Sequence, residues 1–156
     1  MMILDATCGK RMMWFNKFYE DCVYMDIRRE VGPDLVADFR MLPFPDETFD
    51  LIVFDPPHAI TGHGIFRRNF GGLQSDTVHI DLYRAARELF RVLKPNGFLS
   101  LNGTRTVTSL SQFYRYSPNF LFLDSEQRSE PNIAAQLTGL FLSNNLESVE
   151  NEEVEK

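Results

Sequence analysis

Four short apolar runs in the first third of the chain each close on an aspartate, and this series constrains the fold more than any other feature. Met1 to Leu4 leads into Asp5, Cys22-Val23-Tyr24-Met25 into Asp26, Leu35-Val36-Ala37 into Asp38, and Leu51 to Phe54 into Asp55. Short apolar runs without polar alternation are how strands buried on both faces of a parallel sheet read. The prolines at 56 and 57 lack ladder donors and fix their own φ, so the fourth strand must end at Asp55. Between the runs lie segments of other character. From Lys10 to about Tyr19 the spacing of Met12, Met13, Phe15 and Phe18 predicts a helix. Gly32-Pro33 and the prolines at 43 and 45 mark loops. Strands alternating with helical segments imply βαβ units and a mostly parallel α/β sheet.

The second half adds the remaining elements. A long loop runs from Thr61 to Asp76, with four glycines and the pair Arg67-Arg68. Asp76 or Thr77 is placed to cap a helix running to about Leu93, with Leu82, Ala85, Ala86, Leu89 and Phe90 on one face. Lys94-Pro95-Asn96-Gly97 is a stop signal. Phe98–Leu101 reads as a strand, Thr106 to about Tyr114 as a helix and Asn119–Leu123 as a strand. Leu137–Leu142 reads as a last strand, pairing with its predecessor as an antiparallel hairpin.

At 156 residues the chain makes one domain, 1–143, followed by a tail, 144–156. The tail holds five acids against Lys156 and few apolar residues, the composition of a disordered segment. It carries most of the net charge of −6, so the body is nearly neutral and lacks the strongly basic surface typical of nucleic-acid partners. No apolar run reaches the roughly 18 residues that would cross a bilayer. With no secretory signal, Cys8 and Cys22 are expected as free thiols in a reducing, cytoplasmic setting.

Each acid has a place in a ligand site. In an open α/β sheet, ligands bind outside the carboxyl ends of the strands. Asp5 and the turn Ala6-Thr7-Cys8-Gly9 lie at the first strand exit, although Gly9 alone is a weak glycine signal. Asp26 lies about 20 residues further on, where an acid binds ribose hydroxyls in nucleotide sites. Asp38 with Phe39 suits an adenine amino group beside an aromatic ring. Taken singly, each acid also suits a turn former or helix cap; the series is more specific than its members. His63 and His79 share no metal-ligand spacing, so no metal is expected. Trp14 reads as core or helix interface.

The segments ILDATCG (Ile3–Gly9), VYMDIR (Val23–Arg28), ADFRMLPFPDETFDLIVFDPPH (Ala37–His58) and RVLKPNGFL (Arg91–Leu99) resemble class I S-adenosylmethionine-dependent methyltransferases, with their Rossmann-like fold. The Asp-Pro-Pro-His corner resembles amino-methyltransferases of phage and prophage origin that act on planar exocyclic nitrogens. The resemblance implies that Asp5, Ala6, Thr7, Cys8 and Gly9 line the methionine part of S-adenosylmethionine. It gives the ribose to Asp26 and the adenine to Asp38 and Phe39. It implies a catalytic corner of Asp55, Pro56, Pro57 and His58. There the Asp55 carboxylate and Pro56 carbonyl would accept the two hydrogens of the target amine, and His58 would stack on the base. The expected acceptor is adenine or cytosine in DNA, flipped out of any duplex. Arg67 and Arg68, which follow the corner in the glycine loop, suit either a phosphate contact or a solvated surface. The first motif has one glycine where relatives often have more. The chain also has no length for a separate target-recognition domain, so a protein partner or homo-oligomer is expected to supply specificity. Two rivals stay open: a catalytically silent protein of the same fold that acts through a partner, and a methyltransferase for a substrate other than DNA (RNA, a small molecule or a protein).

Overall fold

The computed structural model describes residues 1–56, 77–104, 120–126 and 136–143, with side chains for 1–56 and 77–102. Its strands are β1 (Ile3–Asp5), β2 (Cys22–Asp26), β3 (Leu35–Val36), β4 (Phe49–Phe54), β5 (Leu93–Thr104), β6 (Phe120–Glu126) and β7 (Gln136–Ser143). They form one sheet in the order β3-β2-β1-β4-β5-β7-β6. The first five are parallel, while β7 enters antiparallel to both β5 and β6. The chain leaves β1 to one side for β2 and β3, then returns to β1's other side for β4. That reversal is a topological switch point, where the carboxyl ends of neighbouring strands diverge and open a crevice.

Side-chain alternation along the strands divides the sheet into two faces. Leu4, Met25, Ile52, Phe54, Leu99 and Leu101 are fully buried on one face. They pack against α1 (Val78–Val92), which presents Leu82, Ala85, Ala86 and Leu89. The expected apolar stripe is therefore present, with Phe90 at its partly buried edge and Val78 and Val92 extending it. Each large side chain in this layer contributes about 1.5–3 kcal/mol through burial. Thr77 occupies the N-cap position without a side-chain cap bond; its hydroxyl donates instead to the Asp81 carboxylate at 3.0 Å. On the other face, Ile3, Cys8, Cys22 and Tyr24 form a smaller cluster with Trp14 and Leu51 packed against it.

The segment covering that second face corrects one expectation: residues 10–19 form turns, not a helix. Gly9 (φ +50°) and Arg11 (φ +56°) are left-handed, which stops a right-handed helix from starting. Side chains then fix the segment as a strap. The Arg11 guanidinium donates to Lys17 O at 2.8 Å, Gly32 O at 3.2 Å and Asp34 Oδ1 at 2.8 Å, and lies 4.0 Å from the Tyr24 ring centroid. The Met12, Met13, Phe15 and Phe18 side chains are exposed rather than packed.

The Lys94-Pro95-Asn96-Gly97 signal is also placed differently. β5 begins before it, at Leu93, and the four residues bulge out of the ladder between the pairs Phe49–Leu93 and Leu51–Phe98. Asn96 takes φ +61° there. Gly97 is required by close approach, since a Cβ would lie 2.8 Å from Leu93 Cδ1 and 2.9 Å from Lys94 O. The expected loop 61–76, the helix 106–114 and the tail 144–156 lie outside the described residues. Among the described residues, no helix is long and apolar enough to cross a membrane.

Candidate functional site

A cavity of about 180 Å³ opens at the carboxyl ends of β1, β2 and β4, at the switch point. Its wall holds Asp5 with the turn to Gly9, then Asp26, Phe39, Asp55 and Pro56. Three strand-end acids expected from the sequence thus meet at one opening. Asp38 does not form part of that wall. Its carboxylate faces Arg40, whose Nε and Nη2 donate at 3.0 and 2.6 Å, while Arg40 Nη1 reaches Asp81 Oδ1 of α1 at 3.0 Å. Pro57, His58, Arg67 and Arg68 lie outside the described residues.

The first turn is built by Asp5 and its neighbours. Asp5 Oδ1 accepts from Thr7 N at 3.3 Å and Oδ2 from the Trp14 indole Nε1–H at 2.7 Å. Backbone donors anchor the turn to both flanking strands, Ala6 N to Val53 O and Cys8 N to Met25 O, each at 2.9 Å. Asp5 is 2% exposed. Burial pushes its carboxyl up to about 6, with the charges of Asp55 and Asp26 adding to the rise and the Trp14 and Thr7 bonds opposing it. Burial also raises the Cys8 and Cys22 thiols to about 12, so neither is a ready nucleophile.

Asp26 accepts four hydrogen bonds at 2.9 Å. Its Oδ1 takes Arg28 N and Nε, and its Oδ2 takes Gly9 N and Arg28 Nη2. Burial alone raises this carboxyl, but the Arg28 and Gly9 donors together hold it below the usual carboxylate range. Asp55 is fixed from its backbone, with N donating to the Thr7 hydroxyl at 2.9 Å. That bond ties the β4 exit to the first turn, so the acid corner and the glycine turn hold a set spacing. Phe39 stacks edge-on against Phe54 at 5.2 Å between centroids, which joins the β3 and β4 exits from below.

Trp14, Arg28, Met12 and Met13 are residues whose part in the site the sequence reading did not assign. Trp14 is half-buried as expected, but its indole N–H serves the site's own carboxylate. Arg28 and the two methionines belong to the cavity wall. One signal was available: Asp-Ile-Arg at 26–28 and Asp-Phe-Arg at 38–40 place an arginine two residues after an acid at consecutive strand exits.

The fold is shared with known methyltransferases. An S-adenosylmethionine-dependent methyltransferase from Methanosarcina mazei superposes with a TM-score of 0.59 at 16% identity, over 92% of each chain. The N-methyltransferase NodS from Bradyrhizobium japonicum gives 0.61 at 11%, over 92% of this chain and 85% of that one. The T. thermophilus 16S rRNA methyltransferase RsmC, in complex with S-adenosylmethionine and guanosine, gives 0.57 at 16%, over 92% of this chain and 35% of that one. Likeness at such identity defines the fold, which is the Rossmann-like class I methyltransferase fold. No protein-family model and no curated protein matches the sequence.

Proposed function

We propose that the chain is an S-adenosylmethionine-dependent amino-methyltransferase whose acceptor is the exocyclic amine of adenine or cytosine in DNA. One observation carries this reading. Asp55 and Pro56 stand on the wall of the same switch-point cavity as Asp5, Gly9 and Asp26, with the Asp55 backbone fixed on Thr7. The donor set fits the cofactor. Three carboxylates share the opening with Lys10 and Arg28, and Arg28 pairs with Asp26, so Asp5 and Asp55 are the acids proposed to face the sulfonium and ammonium groups of S-adenosylmethionine. Bound there, the cofactor would supply an electrophilic methyl group.

The chain's own part is to bind and orient. Asp5 and the turn to Gly9 hold the charged end of the ligand, while Asp26 faces its ribose and Phe39 its adenine. An aromatic amine is a poor nucleophile because its lone pair is delocalised into the ring. The Asp55 carboxylate and Pro56 carbonyl would accept its two hydrogens, turning the nitrogen toward tetrahedral geometry and freeing the lone pair. Most of the gain is orientation and local electrostatics, an effect that reaches about 7–11 kcal/mol in well-aligned systems. His58, Arg67 and Arg68 are proposed to contact the base and phosphates, and a protein partner or second copy to select the target.

Calorimetric titration with S-adenosylmethionine tests the cofactor, and absence of binding removes the reading. Transfer of a tritiated methyl group to DNA tests the corner. Asp55→Ala is expected to lower the rate by at least ~10²-fold, and label that persists undiminished would show that Asp55 is not the catalytic group.

A further inference from the structure

Asp5 and Asp26 differ in what compensates their charge. Asp26 is bonded by the Arg28 guanidinium as well as by two backbone N–H groups. Asp5 is deeper, at 2% exposed, and among the described residues its carboxylate accepts from two groups only. These are the Thr7 backbone N–H at 3.3 Å and the Trp14 indole N–H at 2.7 Å, and neither carries a charge. A carboxylate buried on neutral donors alone is costly to keep ionised. The shorter bond, from Trp14, is therefore the main support of the charged form. That donor arrives from nine residues on, along the strap, and the strap is braced on both sides of it. Before it, the Arg11 guanidinium reaches Lys17 O, Gly32 O and Asp34. After it, Tyr19 N donates to the Tyr24 hydroxyl, which donates in turn to Asn16 O, each at 3.4 Å. The Tyr24 ring also meets the indole edge-on, with 5.6 Å between centroids. The indole is thus wedged between strap and β2 with its N–H turned onto Asp5.

We propose that Trp14 is the positioning residue of Asp5: its indole N–H holds the Asp5 carboxylate in the charged, oriented form that receives the cationic end of S-adenosylmethionine. The strap, and not the glycine turn alone, then sets the affinity at the first strand exit. This role rests on the methyltransferase reading above, because that reading supplies the cationic ligand. The electrostatics around Asp5 agree with it. Burial raises the carboxyl to about 6, and the Trp14 bond opposes that rise. Among the described residues, Asp55 beyond β4 and Asp26 of β2 face Asp5 and add to the rise. The thiols of Cys8 in the turn and Cys22 of β2 also face it, and both stay protonated through neutral pH. Lys10 and Arg28 share the cavity wall, and Arg11 of the strap acts on Cys8. Loss of the indole donor leaves the burial and the two acids in place, so the Asp5 carboxyl must rise further.

Isothermal titration with S-adenosylmethionine from pH 5.5 to pH 8.5 should compare the unaltered protein with Trp14→Phe, which keeps a ring and removes the N–H. Losing one hydrogen bond to the charged form should move the acid limit of binding upward by about one pH unit. The variant's dissociation constant should therefore be about tenfold higher at pH 5.5 and within about threefold at pH 8.5. Titration of the ligand's own amine is common to both proteins and cancels. In Asp5→Asn, where nothing titrates at this position, adding Trp14→Phe should leave the pH dependence of binding unchanged. A purely structural loss would weaken binding by one factor at every pH, and that result would overturn the role, as would equal binding throughout. Either result leaves the methyltransferase reading standing. Trp14 is the chain's one tryptophan, so a second readout needs no variant. Its single indole N–H resonance should move with a midpoint at about pH 6 in the empty protein. At pH 5.5, adding S-adenosylmethionine should move it in the same direction, as Asp5 gives up its proton to meet the ligand. A resonance indifferent to pH between 5 and 8 would overturn the proposal even where the variant does not fold. Failure of the unaltered protein to bind S-adenosylmethionine would bring down both readings.

Discussion

Replacing Asp5 by asparagine should stabilise the protein at neutral pH while weakening its grip on a cationic ligand. Asp5 is nearly inaccessible, and its carboxyl rises from 3.8 to about 6, with burial as the largest cause. The sign follows from proton binding. Between those two values the folded state holds a proton that the unfolded chain has released, so stability falls as pH rises through about 6. At about 1.36 kcal/mol per pH unit, keeping the ionised carboxylate buried at pH 7 and above costs about 3 kcal/mol. From pH 5 to pH 7 alone the loss is about 1 kcal/mol. Asparagine can still accept the Trp14 N–H at the Oδ2 position, gives up the longer 3.3 Å bond from Thr7 N, and carries no charge to desolvate. Urea unfolding at pH 5 and pH 7 of both proteins isolates the effect, because histidine titrations common to both cancel in the difference. The unaltered protein should lose about 1 kcal/mol more over that interval than Asp5→Asn. Identical pH dependence in the two proteins would refute the argument, as would a variant less stable than its parent at pH 7.

Gly97→Ala should cost about 2 kcal/mol or more in urea unfolding, in the range of overpacking, because the new Cβ would meet backbone oxygen as well as Leu93. Trp14→Phe removes the indole donor from Asp5 while keeping an aromatic ring beside Tyr24. It should lower stability by about 1–3 kcal/mol at pH 7, and less at pH 5, where Asp5 is mostly protonated. Cys8 and Cys22, buried and raised to about 12, should resist a disulfide reagent at pH 8 in the native protein and react fully in urea. Rapid native labelling of both would contradict the placement of that small cluster.

The parallel sheet and the site acids were legible because each depends on local pattern. A short apolar run that meets an acid or a proline states both that a strand is buried and where it stops. Asp5, Asp26 and Asp55 could therefore be assigned to strand exits, and topology brings those exits together. The strap at residues 10–19 was not legible. Its apolar spacing fits a helix, but two left-handed residues and the multiple bonds of Arg11 override that period. Nothing in the spacing of Met12, Met13, Phe15 and Phe18 distinguishes a packed helical stripe from side chains left in solvent. The bonding of the acids was equally hidden. An aspartate at a strand exit looks the same in sequence whether it and its arginine line a cavity, like Asp26 with Arg28, or lie off it, like Asp38 with Arg40. The bulge before Gly97 shows a third kind of limit, since a stop signal for one element can lie inside the next when the ladder resumes beyond it.

The most direct measurement of the central claim is the chemical position of the transferred methyl group. DNA incubated with the protein and isotopically labelled S-adenosylmethionine, digested to nucleosides and resolved by mass spectrometry, should carry label on the exocyclic amine of adenine or cytosine. Asp55→Ala should lower that labelling by at least ~10²-fold. Label on a ring carbon, or equal labelling by the variant, would contradict an amino-methyltransferase built on the Asp55–Pro56 corner.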